Sequence, residues 1–458
     1  MRSVLVSTYE LGRQPFGLAS AAAWLRAGGW DVVCVDAARQ KLRLEVFTNA
    51  QLIGFHLPMH TATRLAAPVI AAARRANPAS RIAAFGLYAP LNAEWLRSIG
   101  VDAVLGGEFE EDLAIFADHV REPQNARNPQ SPNISAVSAL NRPLPKIRFL
   151  VPDRRGLPAL STYATLQMPG GESRLVGYTE ASRGCRHRCR HCPVVPVYDG
   201  QFRVVQADVV LADVDAQIAA GAQHITFGDP DFFNGPTHAM RIVDALHAAH
   251  PGVSYDVTIK IEHLLQHRGL LRRLAATGCA FVTSAVESVD DRVLAIFDKG
   301  HTRAEFVQAV ALSRAAGLTL VPTFVAFHPW TTLDSYCDLL DTIADLQLID
   351  HVAPIQLAIR LLVPEGSLLL ALPEMRTFVE RFDPATLTYR WSHPDPRVDA
   401  LHQDITALVG TRLTSDRRAA FAAISAMAHE RARRPAPVHP YPVRDRATVP
   451  YLNEPWYC

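Results

Sequence analysis

Residues 182–196 read SRGCRHRCRHCPVVP, and three of the chain's seven cysteines, Cys185, Cys189 and Cys192, fall within eight residues, separated by three and then two positions. Three thiolates on one loop can hold three irons of a cubane and leave the fourth iron open to a ligand. Zinc is the competing reading. A structural zinc site wants four closed ligands, usually as couples far apart in sequence, whereas His187 and His191 sit too close to the cysteines for a comfortable tetrahedron. The other cysteines, at 34, 279, 337 and 458, are scattered, and the odd total suits a reducing compartment and a metal site better than a disulfide framework.

Working outward, LVGYTEAS (175–182) reads as a strand leading into the loop, and strand-helix alternation runs from about 171 to 370. HITFGDPDFF (224–233), SYDVTIKIE (254–262), AFVTSAVES (280–288), LTLVPTFVAFHP (318–329) and PIQLAIRLLV (354–363) read as strands. The segments between them read as helices, two ending on glycine as helix C-termini prefer. The economical architecture is a (β/α) barrel, whole or partial, of TIM-like type.

Residues 1–120 alternate in the same way, with strand-like runs SVLVST (3–8), WDVVCVD (30–36), QLIGFHL (51–57), RIAAFG (81–86) and VDAVLGG (101–107). This α/β pattern predicts a doubly wound, Rossmann-like parallel sheet, whose ligands sit outside the C-terminal strand ends. Residues 121–170 carry prolines at 123, 129, 132, 143, 145, 152, 158 and 169 and predict an extended linker between the barrel, 171–370, and the first domain. Residues 371–458 predict a helical C-terminal segment followed by a tail rich in Arg, Pro and aromatics.

Composition narrows the function. With 49% hydrophobic and 20% charged residues the chain is globular with a large core. Its 46 basic and 45 acidic residues leave +1, so nothing global argues for nucleic acid or an anionic membrane surface. The N-terminus lacks the pattern of a signal peptide, and no apolar run reaches the ~18 residues of a membrane helix. The expectation is a soluble, cytoplasmic protein acting on a small molecule or peptide.

On these residues the sequence resembles the radical S-adenosylmethionine superfamily, whose signature is this cysteine spacing on the loop after the first barrel strand. The resemblance implies a 4Fe–4S cluster on Cys185, Cys189 and Cys192, S-adenosylmethionine on the open iron, and an electron donor such as flavodoxin or ferredoxin. It implies cofactor-binding roles for His191, which precedes the last cysteine and would lie near the adenine, and for Gly228, Asp229 and Asp231 in FGDPDFF (227–233), where the family has a glycine-rich segment contacting the methionine amino group. This chain departs there from the usual Gly-Gly-Glu, and Asp231 reads equally well as a helix cap. Glu287 in SAVESVDDRVL (284–294) resembles the fourth-strand glutamate that meets the ribose or the amino acid part. It lies between apolar neighbours, where an unpaired buried carboxylate would be expensive. Lys260, Glu262, Lys299, His328 and Arg360 are further polar residues at apparent strand ends, each equally readable as a surface group or ion-pair partner, while Cys279 and Cys337 read as core residues.

A doubly wound domain ahead of the motif resembles the cobalamin-binding class of the superfamily, typified by methyltransferases and oxidative cyclases. The loop after the first strand, STYELGRQPFG, lacks the histidine of methionine-synthase-type cobalamin domains; His56 and His60 in GFHLPMH are the nearest candidates to approach a corrin. A domain that serves only as scaffold is the alternative. The final LNEPWYC resembles the end of a radical enzyme group whose tail reads Cys-Cys-Ala-Glu-Pro or Cys-Sec-Ala-Glu-Pro, here stopping at Cys458. The expected reaction is cobalamin-associated methyl transfer to an unactivated centre, with deoxyadenosine and adenosylhomocysteine as products. Two alternatives stay open: 3-amino-3-carboxypropyl transfer without cobalamin, giving methylthioadenosine, and a noncatalytic iron–sulfur or zinc module.

Overall fold

The computed structural model describes residues 1–122, 147–411, 417–435 and 449–453. Five short runs rich in Val, Ile, Leu, Ala and Phe build the first sheet: β1 (Arg2–Ser7), β2 (Asp31–Asp36), β3 (Leu52–His56), β4 (Arg81–Phe85) and β5 (Ala103–Leu105). All are parallel, in the order β2-β1-β3-β4-β5. Their near-continuous apolar sequence follows from burial on both faces. Helices Phe16–Ala27 and Phe109–Arg121 cover one face through Leu18, Ala22, Leu25, Leu113 and Phe116. Helix His60–Ala76 covers the other through Ala66, Ile70 and Ala73. This is the doubly wound sheet expected from the alternation of strands and helices.

The second sheet begins with β6 (Thr165–Gln167) and β7 (Ser173–Thr179), an antiparallel pair. A small two-stranded ribbon, β8 (Ser182–Gly184) and β9 (Phe202–Val204), follows. Then β10 (His224–Phe227), β11 (Ser254–Thr258), β12 (Cys279–Glu287) and β13 (Leu320–Phe324) continue in parallel from β7. The order β13-β12-β11-β10-β7 is that of an open half-barrel, so every C-terminal strand end faces one rim. The helices between the strands, with those at Pro396–Thr411 and Arg417–Ala432, close one continuous core around Val214, Ile242, Leu264, Phe306, Ile343, Ile405 and Ile424.

Several segments depart from the local sequence pattern. PIQLAIRLLV does not extend the barrel: residues 354–357 form a 3-10 turn, and one bridge, Phe327 to Arg360, is all that pairs. Arg360 instead lays its guanidinium 3.6 Å from the Trp391 ring centroid and pairs with Asp399 at 2.7 Å, so its role is structural. The apolar periodicity of that segment came from packing, which does not distinguish a strand from a buried irregular run. The C-terminal segment, expected to be helical, also holds an antiparallel hairpin, β14 (Val379–Asp383) and β15 (Thr388–Trp391), and β16 (Tyr451–Leu452), which pairs with β6.

The proline-rich stretch is not merely a spacer. Phe149 is buried, and Arg154 pairs with Asp213 at 2.9 Å while reaching Gln14 of the first unit at 2.9 Å. Residues 123–146 and Cys458 lie outside the described residues. Among the described residues, no helix is long and apolar enough to cross a membrane.

Candidate active site

The cysteines lie on the connection between β8 and β9, just past the end of β7 at the rim of the half-barrel. Gly184, at φ +73°, turns the chain into the loop, and a β-carbon there would collide with the Tyr198 ring and the Gln201 carbonyl. Asp229, just past β10, accepts from the Ala181 amide at 2.8 Å and the Ser182 hydroxyl at 2.5 Å, and so clamps the loop's entry. Burial raises the Asp229 carboxyl to about 7 against the pull of these hydrogen bonds. Gly228 passes directly under Tyr178, whose hydroxyl occupies the place of any side chain.

Cys189 is buried and Cys185 and Cys192 are half-buried, all three as free thiols. Burial pushes Cys192 up to about 12 and raises Cys185, and in both the charge of Cys189 adds to the rise. The three sulfurs are therefore close enough to oppose each other's ionisation, yet none is bonded to another. Such a set becomes a set of thiolates only when a cation holds it, which fits an iron–sulfur cluster. Lys260 places Nζ 3.8 Å from Cys189 Sγ.

Facing the loop across the rim, Glu287 closes β12 with φ +70°, a strained conformation for a residue with a side chain. Its Oε1 lies 3.2 Å from His191 Nε2 and 3.4 Å from Lys299 Nζ. Burial alone would raise its pKa, but Lys299 and His191 outweigh burial and hold it at about 2. Burial lowers His191, whose ring lies tilted at 32° with its centroid 4.6 Å from that of Phe297 and whose Nδ1 has no partner. The sequence pointed to Lys299 but not to His301 two residues on, a buried imidazole with both nitrogens unpartnered. Burial first, then Lys299 and Lys260, lower it to about 4. Buried His328 faces Phe297 and Trp330 on the same side, and burial lowers it to about 3.

Asp231 is wholly buried. One oxygen accepts from the Phe233 amide, the cap geometry anticipated as its other reading, and the other faces His263. Cys279 and Cys337 are buried in the main core.

A residue that local reasoning missed joins the two sheets. Arg183, two positions before Cys185, meets Glu110 at 2.7 Å, Glu180 at 2.7 Å and Glu108 at 3.3 Å. Glu108 and Glu110 stand just beyond β5, so the C-terminal edge of the first sheet is tied directly to the cysteine loop. Burial raises Glu108 to about 7, with Arg183 opposing and Glu110 adding to the rise. At the same edge Ser7 Oγ, Glu10 Oε2, Glu108 Oε1 and Glu110 Oε2 are buried without hydrogen-bond partners. His56 is enclosed by Phe85 and Phe109 beside Glu10, and His60 bonds the Thr386 carbonyl at 2.6 Å.

Residues 179–343, the segment carrying this loop and rim, match the Radical SAM superfamily. That segment is similar to the radical S-adenosylmethionine domain. A domain of that kind implies a 4Fe–4S cluster and S-adenosylmethionine as cofactors. Among solved structures, the radical S-adenosylmethionine methyltransferase TsrM from Kitasatospora setae superposes with TM-score 0.69 at 15% identity, covering 89% of this chain and 88% of that one. The cobalamin-dependent radical enzyme OxsB superposes with TM-score 0.66 at 13% identity, over 94% of this chain and 71% of that one. Both likenesses extend over the two sheets and show a shared fold. Among curated proteins, the tRNA-2-methylthio-N(6)-dimethylallyladenosine synthase of Chlorobium phaeobacteroides is 26% identical over 42% of this chain and 44% of its own length. The bacteriochlorophyllide d C-12(1)-methyltransferase of Chlorobaculum tepidum is 26% identical over 28% of each. The chain thus spans less than half the length of these curated relatives.

Proposed function

We propose that this protein is a cobalamin-assisted radical S-adenosylmethionine methyltransferase acting on an unactivated centre of a small molecule or peptide. The observation that carries the reading is the meeting of two ligand edges at Arg183: the C-terminal strand ends of the first sheet and the cysteine loop share one buried ionic cluster. A corrin carries amide side chains, and the orphaned acceptors at the first sheet's edge, Ser7, Glu10, Glu108 and Glu110, are the chemistry that receives them. The likeness to OxsB over 94% of this chain and to cobalamin-bound TsrM over 76% of it, two structures that contain cobalamin, supports the same choice.

In this reading Cys185, Cys189 and Cys192 hold the cluster. Bound there, cluster, S-adenosylmethionine and cobalamin supply the one-electron and methyl-carrying chemistry that side chains lack. The chain orients them. His191 and Phe297 offer a flat face to the adenine. Glu287, kept ionised by Lys299, accepts from a ribose hydroxyl or the methionine ammonium. Gly228 makes room for the Tyr178 ring at the end of β10, and Asp229 fixes the loop rather than touching a ligand. Asp231, wholly buried, leaves the cofactor contact to these others. His301 and His328, neutral at physiological pH, are free to accept a hydrogen bond from substrate.

Anaerobic assembly with iron, sulfide and hydroxocobalamin, followed by reduction with S-adenosylmethionine, tests this. About four irons with stoichiometric cobalt, deoxyadenosine and adenosylhomocysteine are expected. Finding neither nucleoside product under reducing conditions overturns it, and methylthioadenosine in their place makes the reaction a 3-amino-3-carboxypropyl transfer.

A further inference from the structure

Between Cys185 and Cys189 the loop points His187 inward, and there it meets two buried groups from successive strand ends of the half-barrel. Asp231 follows β10, and His263 opens the helix Ile261–Gln266 after β11. His187 Nε2 lies 3.8 Å from Asp231 Oδ2, and His263 Nδ1 lies 2.7 Å from the same oxygen. The last pair is unusual: within ion-pair distance, Asp231 Oδ2 and His263 Nδ1 are not aligned for a hydrogen bond to each other or to any other described group, both residues are almost wholly buried, and His187 Nε2 meets the other ring nitrogen, His263 Nε2, at 3.2 Å. A buried carboxylate oxygen and a buried imidazole nitrogen facing each other without an aligned hydrogen bond cost stability unless something else receives their lone pairs. Glu262 supplies the remaining feature, its Oε2 lying 3.5 Å from His187 Nδ1. A histidine that coordinates through one nitrogen characteristically gives its other N–H to a carboxylate.

The geometry points to a second metal site, distinct from the cysteine site, in which His187 Nε2, His263 Nδ1 and Asp231 Oδ2 bind one divalent first-row transition ion such as zinc or ferrous iron, with Glu262 orienting His187. Two imidazoles and one carboxylate, converging within 4.8 Å, are a donor set of the right hardness for such ions and leave coordination positions open. The ion would tie the cysteine loop to the ends of β10 and β11, a junction that packing alone leaves with uncompensated polar atoms. The inference does not depend on the methyltransferase reading, because none of its three ligands is a cysteine.

The test is an anaerobic titration of Co2+ into the cobalamin-free chain with its cluster assembled, and into the Cys185→Ala, Cys189→Ala, Cys192→Ala variant. One equivalent should bind in both, with ligand-field bands of nitrogen and oxygen donors and no thiolate-to-cobalt charge transfer. His263→Gln and Asp231→Asn should abolish that binding, His187→Gln on the half-exposed loop should do the same without disturbing the core, and Glu262→Gln should weaken it about 10–100-fold. No saturable binding in the cysteine variant, a thiolate signature, or binding undiminished by His187→Gln and His263→Gln would overturn the site. Failure of the methyltransferase reading would show instead as missing nucleoside products with this binding intact.

Discussion

The two sheets present their C-terminal edges to each other, but they balance charge in opposite ways. At the rim of the half-barrel two of the buried acids have partners close in sequence or on the adjoining strand end: Glu287 has Lys299, and Asp229 has the Ala181 amide and the Ser182 hydroxyl. At the edge of the first sheet Glu10, Glu108 and Glu110 are buried with several oxygens unpartnered, and the cation that relieves Glu108 and Glu110, Arg183, is lent by the other unit. Around Glu287 and Asp229 charge is balanced within one unit; the first sheet's edge is completed only by docking. An edge completed from outside is the one whose properties should respond to its neighbour and to any ligand that enters between them.

The most severe break is Cys189→Ala, which removes the most buried of the three sulfurs. Cluster assembly should fail, with iron content near background and no cleavage of S-adenosylmethionine, while far-ultraviolet circular dichroism stays unchanged; retained iron would contradict the assignment. Next, Arg183→Met leaves Glu108, Glu110 and Glu180 buried against one another. Breaking a buried pair in this way costs about 3–5 kcal/mol, to be read from urea unfolding, and Glu110→Gln in the same chain should recover part of it.

The comparison sharpens with pH. Glu108 has its pKa raised from 4.5 to about 7, so the stability it contributes is complete below about pH 4.5 and is lost as pH rises through about 7. Asp229, raised from 3.8 to about 7, acts in the same direction. Glu287 runs the other way: held at about 2, it contributes above pH 4.5 and loses that contribution as pH falls through about 2. Glu108→Gln should therefore flatten the decline in unfolding free energy between pH 4.5 and 7 and leave the acid limb untouched; an unchanged slope would mean that the first edge is not the source. The smallest effect is expected from Tyr163→Phe, which removes a 2.8 Å hydrogen bond to buried Asp36. A loss of about 1 kcal/mol in the same assay is expected, since the Ala38 amide still serves the carboxylate.

Much of the architecture was legible because it rests on local pattern. The runs VLVS, VVCV, LIGF and IAAF could hardly be other than strands buried on both faces, and the cysteine spacing named its own chemistry. The pattern failed where apolar periodicity and hydrogen bonding part company: PIQLAIRLLV is as apolar as a strand, yet its neighbours leave it a single bridge, and FGDPDFF leaves the strand at Phe227 because Asp229 and Asp231 turn their carboxylates to amides instead.

By itself, then, the sequence determined two alternating α/β units, a three-cysteine loop at the end of a strand, and Glu287 as a buried acid in need of a partner. Only the tertiary structure decided who the partners are. Glu108 and Arg183 stand 75 residues apart, as do His187 and His263 at 76, and Glu287 and His191 at 96. Periodicity is a property of neighbours along the chain, and it reports which side of an element is buried. The pairing of polar groups across a rim depends on the paths of several loops at once, so it exists only after the strands have been set side by side.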